Sequence, residues 1–239
     1  MVQHPYTIYP SREAWMKHFR DGIGASEAAA VLGLSPWKSN MQLWEEKVGL
    51  RVPEDIGDKP YVQYGTEAEP LLRGLFALDH PEYSVSFTPY LVYHHPTKPY
   101  ITCTPDGELE EIATGKRGGL EVKTTEIKSP MGYECWDGRI PDYYYTQVCQ
   151  QMLAAGWEFV EVLAQIKYTT FDGDDRKETR HYRIDRVDAL ADIDLVEEAD
   201  DDFWRFVQEN RRPPLKIRLP SGPVKNEQDR RTTWKLWNL

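Results

Sequence analysis

Asp106, Glu121 and Lys123 are the residues whose types and spacing point first to chemistry. Asp106 follows Pro105 at the end of a β-rich run carrying Ile101, Thr102 and Thr104. Glu121 and Lys123 stand two apart in the segment 120–125, where Leu120, Val122 and Thr124 alternate with Glu121, Lys123 and Thr125. Period two places Glu121 and Lys123 on one face of a strand and Val122 on the other. The connection 113–119 (Ala-Thr-Gly-Lys-Arg-Gly-Gly) is turn-rich and ill suited to a helix or a central strand, so the spacing predicts a β-hairpin or two neighbouring strands.

Two carboxylates and an ammonium gathered in this way suit hydrolysis at a divalent metal. Mg²⁺ takes hard oxygen donors, usually one or two carboxylates with water and a substrate phosphate. Asp106 and Glu121 can supply them, with the backbone carbonyl of Val122 as a further ligand. Lys123 can orient or deprotonate an attacking water, or stabilise charge on the phosphate. On spacing alone the same residues equally suit a surface hairpin with Glu121 and Lys123 as solvated neighbours.

The elements that must position these residues can be read outward from them. Residues 11–20 predict a short helix with Ser11 as cap, Glu13 in the first turn and Trp15 stacked on Phe19 at i,i+4. A glycine-bearing turn then leads to a small apolar helix over 28–32, with Ser26 as its N-cap and Gly33 as its stop. Free amides at such a helix start can hold a phosphate, although a capped core helix accounts for the same residues. Further helices are expected over 40–48 and from Tyr64 onward, the latter burying Leu71, Leu72, Leu75 and Phe76. Thr66 and Glu69 have capping-box spacing there. Residues 83–93 read as one strand kinked at Pro89, 143–156 as a helix, 158–168 and 178–184 as a hairpin, and 187–209 as a last helix. This order predicts an α/β (α+β) fold, a mixed central sheet flanked by helices.

At 239 residues the chain suits one full domain, taken as 1–210, with a basic extension over 211–239 packed on it or used for assembly or DNA contact. The extension holds eight Lys/Arg and two Asp/Glu, so it is cationic while the whole chain is −10. That balance disfavours non-specific duplex binding but leaves room for a local basic track, drawn from Lys38, Lys47, Arg73 and the tail arginines. Three scattered cysteines rule out a disulfide framework or a Cys-based metal site. No membrane span or basic-then-apolar leader is apparent, and a cytoplasmic setting (that of a host cell, if phage-encoded) is expected.

The flanking blocks add a resemblance. Pro105-Asp106 followed by Glu121-Val122-Lys123 resembles the Pro-Asp…(Asp/Glu)-x-Lys signature of the restriction-endonuclease-like nuclease superfamily. The segments 24–37 (Gly-Ala-Ser-Glu…Ser-Pro-Trp), 43–49, 65–69, 104–107, 120–123 and 145–152 occur in the order seen in YqaJ-like viral recombinase nucleases, close to the lambda-type exonuclease pattern. The resemblance implies a restriction-endonuclease-like core with Asp106 and Glu121 as metal-binding carboxylates and Lys123 as catalytic lysine. Glu69 would be a third carboxylate from the preceding helix, with Glu67 as fallback. Arg20 and Ser26 would hold a 5′-terminal phosphate, and Gln147, or Gln151 one turn on, would be the helix glutamine near the site. It further implies Mg²⁺- or Mn²⁺-dependent digestion of one strand of linear double-stranded DNA from a 5′ end. The remaining single strand would pass to a single-strand annealing protein, and the lambda-type enzymes are ring-shaped trimers. The acidic balance and the basic tail depart from that pattern. Two alternatives share the core: a restriction-like or structure-specific endonuclease, and a non-catalytic DNA-binding module.

Overall fold

The computed structural model describes residues 4–127, 130–170 and 172–216. A small sheet has the order β1-β4-β5-β2, formed by Tyr6–Ile8 (β1), Leu91–His94 (β4), Ile101–Cys103 (β5) and Ile23–Gly24 (β2). The larger sheet has the order β3-β6-β7-β8-β9, formed by Tyr83–Ser86, Gly107–Glu111, Arg117–Ile127, Phe159–Thr169 and Asp175–Asp185. Both are mixed: β2 runs parallel to β5, and β7 parallel to β8, while the other pairs are antiparallel.

The helices are Arg12–His18 (α1), Ala28–Val31 (α2), Asn40–Lys47 (α3), Pro60–Asp79 (α4), Pro130–Glu134 (α5), Asp142–Ala155 (α6) and Leu190–Gln208 (α7). α6 lies between the sheets. Its Val148, Cys149 and Met152 pack with Ile101 and Cys103 of the small sheet and with Val160, Val162 and Ala164 of the large one. α4 covers the opposite face of the large sheet, where Ala68, Leu72 and Phe76 meet Leu120, Val122 and Phe159. A third cluster joins α2, α3 and α7 through Val31, Leu43, Trp44 and Phe203.

A mixed sheet flanked by helices was legible, and several elements agree closely. Ser11 caps α1 by accepting from the Ala14 amide, and Trp15 meets Phe19 edge-on at 4.9 Å. α6 stops at Gly156, whose φ of +69° suits glycine. Five expectations change. The run 83–93 is two strands in different sheets, as is the run 101–111, so β3–β4 and β5–β6 form one ribbon broken near Pro89 and Pro105. Proline cannot donate to a ladder, and the ribbon leaves one sheet for the other where these two prolines fall.

The other four concern helices and glycines. α4 begins at Pro60, not Tyr64, so Thr66 is interior and its hydroxyl donates to the Val62 carbonyl; there is no capping box with Glu69. Leu71 and Leu75 are exposed because the buried stripe follows Ala68, Leu72 and Phe76 at i,i+4. Ser26 lies within a single 3₁₀ turn, Ala25–Glu27, where the cap is made instead by the Glu27 carboxylate accepting from the Gly24 amide at 2.9 Å. Gly118 and Gly119, read as part of the turn, lie inside β7.

Candidate active site

The break in the ribbon creates the site. β6 pairs with β7 only as far as Gly107 opposite Leu120, so the β7 edge is open from Glu121 onward on that side. Asp106 sits at the corner just before β6, and its Oδ2 accepts from the Val122 amide at 2.8 Å. In a strand the N–H and C=O of one residue point to the same side. The Val122 carbonyl is therefore directed to the Asp106 side too, clear of the β8 ladder. A cleft of about 420 Å³ opens there, lined among others by Glu69, Thr104, Asp106, Glu121, Lys123 and Gln147.

Glu121 and Lys123 project from β7 toward α6, as period two requires. Glu121 is only 2% exposed. Its Oε1 accepts from Gln147 Nε2 at 2.7 Å, its Oε2 accepts from Gln151 Nε2, and the Lys123 ammonium makes an ion pair with it. Lys123 also donates to Gln147 Oε1 at 3.1 Å and lies 4.8 Å from the centre of the Tyr144 ring. Both glutamines proposed from the sequence thus hold the same carboxylate, Gln147 at the cleft wall and Gln151 buried behind it.

Charge is unevenly matched in this cluster. Burial pushes the Asp106 carboxyl well above the usual aspartate range, and Glu121 and Glu69 add to the effect against Lys123. Burial alone would lower the Lys123 ammonium, but Glu121 and Asp106 outweigh it and raise its pKa, so it is held as the cation. Three carboxylates set against the Lys123 ammonium and the Arg73 guanidinium, which pairs with Glu69, leave the cluster one positive charge short. The donors are all oxygen, the set that a hard divalent ion takes. Among the described residues no three His, Cys, Asp or Glu side chains close into a metal cage. An open site completed by a backbone carbonyl, water and phosphate does not need one.

α4 brings Glu69 to the cleft and leaves Glu67 exposed and outside the lining. Glu69 is held by Arg73 at 3.0 Å, and the same guanidinium donates to the Asp106 carbonyl and stacks over Phe87 at 3.8 Å. Arg73 is therefore a brace for the corner. Lys47 is likewise internal: its side chain is 3% exposed, pairs with Glu27 at 2.6 Å and donates to the Phe19 carbonyl. Through Glu27 it pins the turn that carries Ser26. Lys38 pairs with Glu46 at 2.5 Å.

At the N-terminal end of the cleft Ser26 lines the wall, together with Trp15, Phe19 and Gly24, whereas Arg20 is exposed and outside the lining. Trp15 donates from its indole to Thr104 Oγ1 at 3.3 Å. The sequence offered Trp15 only as a stack on Phe19 and Arg73 only for a basic track, and gave Thr104 no place in the site. For Thr104, adjacency to Pro105-Asp106 was the available signal; for Arg73, its i+4 spacing from Glu69.

A computed superposition matches an alkaline exonuclease (LHK-Exo) from Laribacter hongkongensis, with a TM-score of 0.62 and 19% identity over 94% of this chain and 99% of that one. The same enzyme in complex with dAMP matches with a TM-score of 0.62 and 21% identity, over 83% and 93% of the two chains. These likenesses identify the restriction-endonuclease-like fold. An uncharacterized protein YqaJ of Bacillus subtilis (strain 168) is 27% identical over 194 residues, which is 81% of this chain and 56% of that protein. The chain thus aligns with little more than half the length of that relative. The corner aspartate, the Glu121–Lys123 strand, Glu69 and Gln147 all fall within residues 14–158, which match the YqaJ-like viral recombinase domain, and the chain belongs to that family.

Proposed function

We propose that this chain is a divalent-metal-dependent deoxyribonuclease that digests one strand of linear double-stranded DNA from a 5′ end and leaves a 3′ single-stranded overhang for recombination. The observation that carries this reading is the joining of Asp106, Glu121, Lys123 and Gln147 at one open strand edge, with Glu69 across the cleft. Exonuclease activity is what the named structural neighbours possess, and one of them was solved with dAMP, a deoxynucleoside monophosphate. The 5′-to-3′ polarity, the ring-shaped trimer and hand-over to a single-strand annealing protein rest on the sequence resemblance.

Asp106, Glu121 and Glu69, with the Val122 carbonyl, would hold Mg²⁺ or Mn²⁺. Bound there, the cation supplies polarisation of the phosphoryl oxygen and a lowered pKa for water. Lys123, paired with Glu121, would orient or deprotonate the attacking water or stabilise negative charge gathering on the phosphoryl oxygens. Water oxygen bonds to phosphorus as the P–O3′ bond breaks, and the 3′ oxygen leaves to take up a proton. Gln147 keeps Glu121 and Lys123 in register during this exchange. Ser26 and the Gly24–Ala25 turn would face the strand end.

Purified protein should degrade linear duplex only with Mg²⁺ or Mn²⁺ present and should spare a covalently closed circle. Asp106→Ala and Lys123→Ala should each abolish digestion with the fold intact by circular dichroism. Digestion at the wild-type rate by both variants would overturn the assignment, and cutting of the closed circle would make the chain an endonuclease on the same core.

A further inference from the structure

Trp37 is 68% exposed on the turn that joins α2 to α3. An indole left in water forgoes the burial that usually stabilises so large a ring. Its backbone is nonetheless fixed. The amides of Trp37 and Lys38 both donate to Ser35 Oγ at 3.2 Å. The ring itself is braced from below, with Tyr143 in a T-shaped contact at 4.9 Å and Tyr144 tilted at 6.1 Å. Because Tyr144 also covers the Lys123 ammonium, one aromatic tier runs from the catalytic lysine out to the exposed indole.

Beside Trp37 lies a groove of about 300 Å³, lined also by Lys38, Ser39, Gln42, Leu215 and Lys216. Lys38 and the Gln42 Nε2 amide can donate there to phosphate and sugar oxygens, while Ser39 and Gln42 Oε1 are tied to each other in the cap of α3. Its charge is modest: Lys38 is shared with Glu46, and burial lowers the Lys216 ammonium. An exposed ring beside a weakly cationic groove is a stacking site, in which the ring contributes more than the charge. Bases within a duplex hide their faces in the stack, whereas unpaired bases offer theirs to aromatic side chains. The fitting ligand is therefore single-stranded DNA.

We propose that Trp37 is a stacking platform for an unpaired base of the single strand beside the catalytic cleft, with its backbone in the groove along Lys38 and Ser39. This rests on the nuclease reading for the choice of DNA, yet it is tested by binding without hydrolysis. Full-length protein in EDTA is titrated against labelled duplex with a 3′ single-stranded overhang and against the blunt duplex, by fluorescence anisotropy. Trp37→Ala should weaken binding to the overhang DNA about 5- to 100-fold, the loss of one base–aromatic stack, and leave blunt-duplex binding unchanged. Trp37→Phe should retain most of the affinity, and the melting temperature of both variants should stay at the wild-type value. Equal affinity of wild type and Trp37→Ala for the overhang DNA overturns the platform. So does an equal loss on overhang and blunt duplex, or a wild type that does not prefer the overhang. Wild-type digestion of linear duplex with Mg²⁺ is measured alongside. Its absence, with Trp37-dependent overhang binding intact, would sink the nuclease reading and leave the platform standing.

Discussion

An uncharged side chain that donates to a carboxylate and accepts from an ammonium at the same time can be an amide, a hydroxyl or a neutral imidazole, and the amide does so with two separate atoms and no proton that titrates near neutrality. Gln147 uses both: Nε2 to Glu121 and Oε1 from Lys123. Gln147→Glu would set a second carboxylate against Glu121, and Gln147→Leu would leave the Glu121 oxygen and the Lys123 ammonium without this partner. Loss of a group that orients metal-binding carboxylates costs on the order of 10–100-fold in metal affinity or activity. Both variants should therefore lower kcat on linear duplex by about that factor and raise the Mg²⁺ concentration for half-maximal rate. Unchanged Mg²⁺ dependence in both would show that Gln147 is a bystander. At this scale the sequence was highly informative. Period two alone put Glu121 and Lys123 on one face, whereas Gln147, with Gln151 one turn on as the alternative, came from the family resemblance. Arg73, offered only for a basic track, was not legible as a brace because its partner, the Asp106 carbonyl, is 33 residues away and is a backbone group that carries no sequence signal.

Among the elements, β7 shows how far local rules reach. Two consecutive glycines argued for a turn, yet Gly118 and Gly119 are ladder residues opposite Phe159 and Val160 of β8. The reason is tertiary: a Cβ on Gly119 would come within 2.2 Å of the Trp157 ring, and one on Gly118 within 2.5 Å of Phe159. Glycine is used here so that aromatic rings can lie directly on the strand. Gly119→Val has the better strand propensity and should still destabilise, by about 1–3 kcal/mol or more from overpacking. A melting curve checks it: each kcal/mol lost lowers the midpoint by roughly 2–4 °C for a chain of this size. An unchanged midpoint would mean that Trp157 can move aside. The same contrast explains which elements were legible. α1, α6 and the β8–β9 hairpin declare themselves by caps, period and turn residues. The three-residue β1, the early start of α4 and the change of sheet near Pro105 depend on partners distant in sequence. The last of these matters most, since the corner it makes is what opens the β7 edge beside Asp106.

The whole chain is −10, but with the +6 extension set apart residues 1–210 carry 21 Lys/Arg against 37 Asp/Glu, or −16, and the cations of that body are mostly spoken for, including Lys38, Lys47 and Arg73. The basic extension begins on that body: Asn40 donates to the Pro214 carbonyl at 2.8 Å and accepts from the Lys216 amide at 3.0 Å. Residues 217–239, with Trp234 and Trp237, lie outside the described part, and among the described residues no helix is long and apolar enough to cross a membrane. Under this junction α7 buries Asp200, which is 1% exposed and has no hydrogen-bond partner for either carboxylate oxygen among the described residues. Burial pushes its carboxyl well above the ordinary aspartate range, and Asp201 and Glu27 add to this against Lys216 and Lys47. The folded protein therefore holds this proton more tightly than the unfolded chain does. Its stabilising contribution is complete below the unfolded aspartate pKa of about 3.9 and is lost as pH rises through the raised folded value. Asp200→Asn keeps the shape and removes the titration. The melting temperature of the variant minus that of wild type should thus increase as pH climbs from about 4 and level off once wild-type Asp200 is ionised. Taking the difference cancels the other carboxylates, which titrate alike in both proteins. A difference that stays flat from pH 4 to 9 would place the buried charge of this face elsewhere than on Asp200.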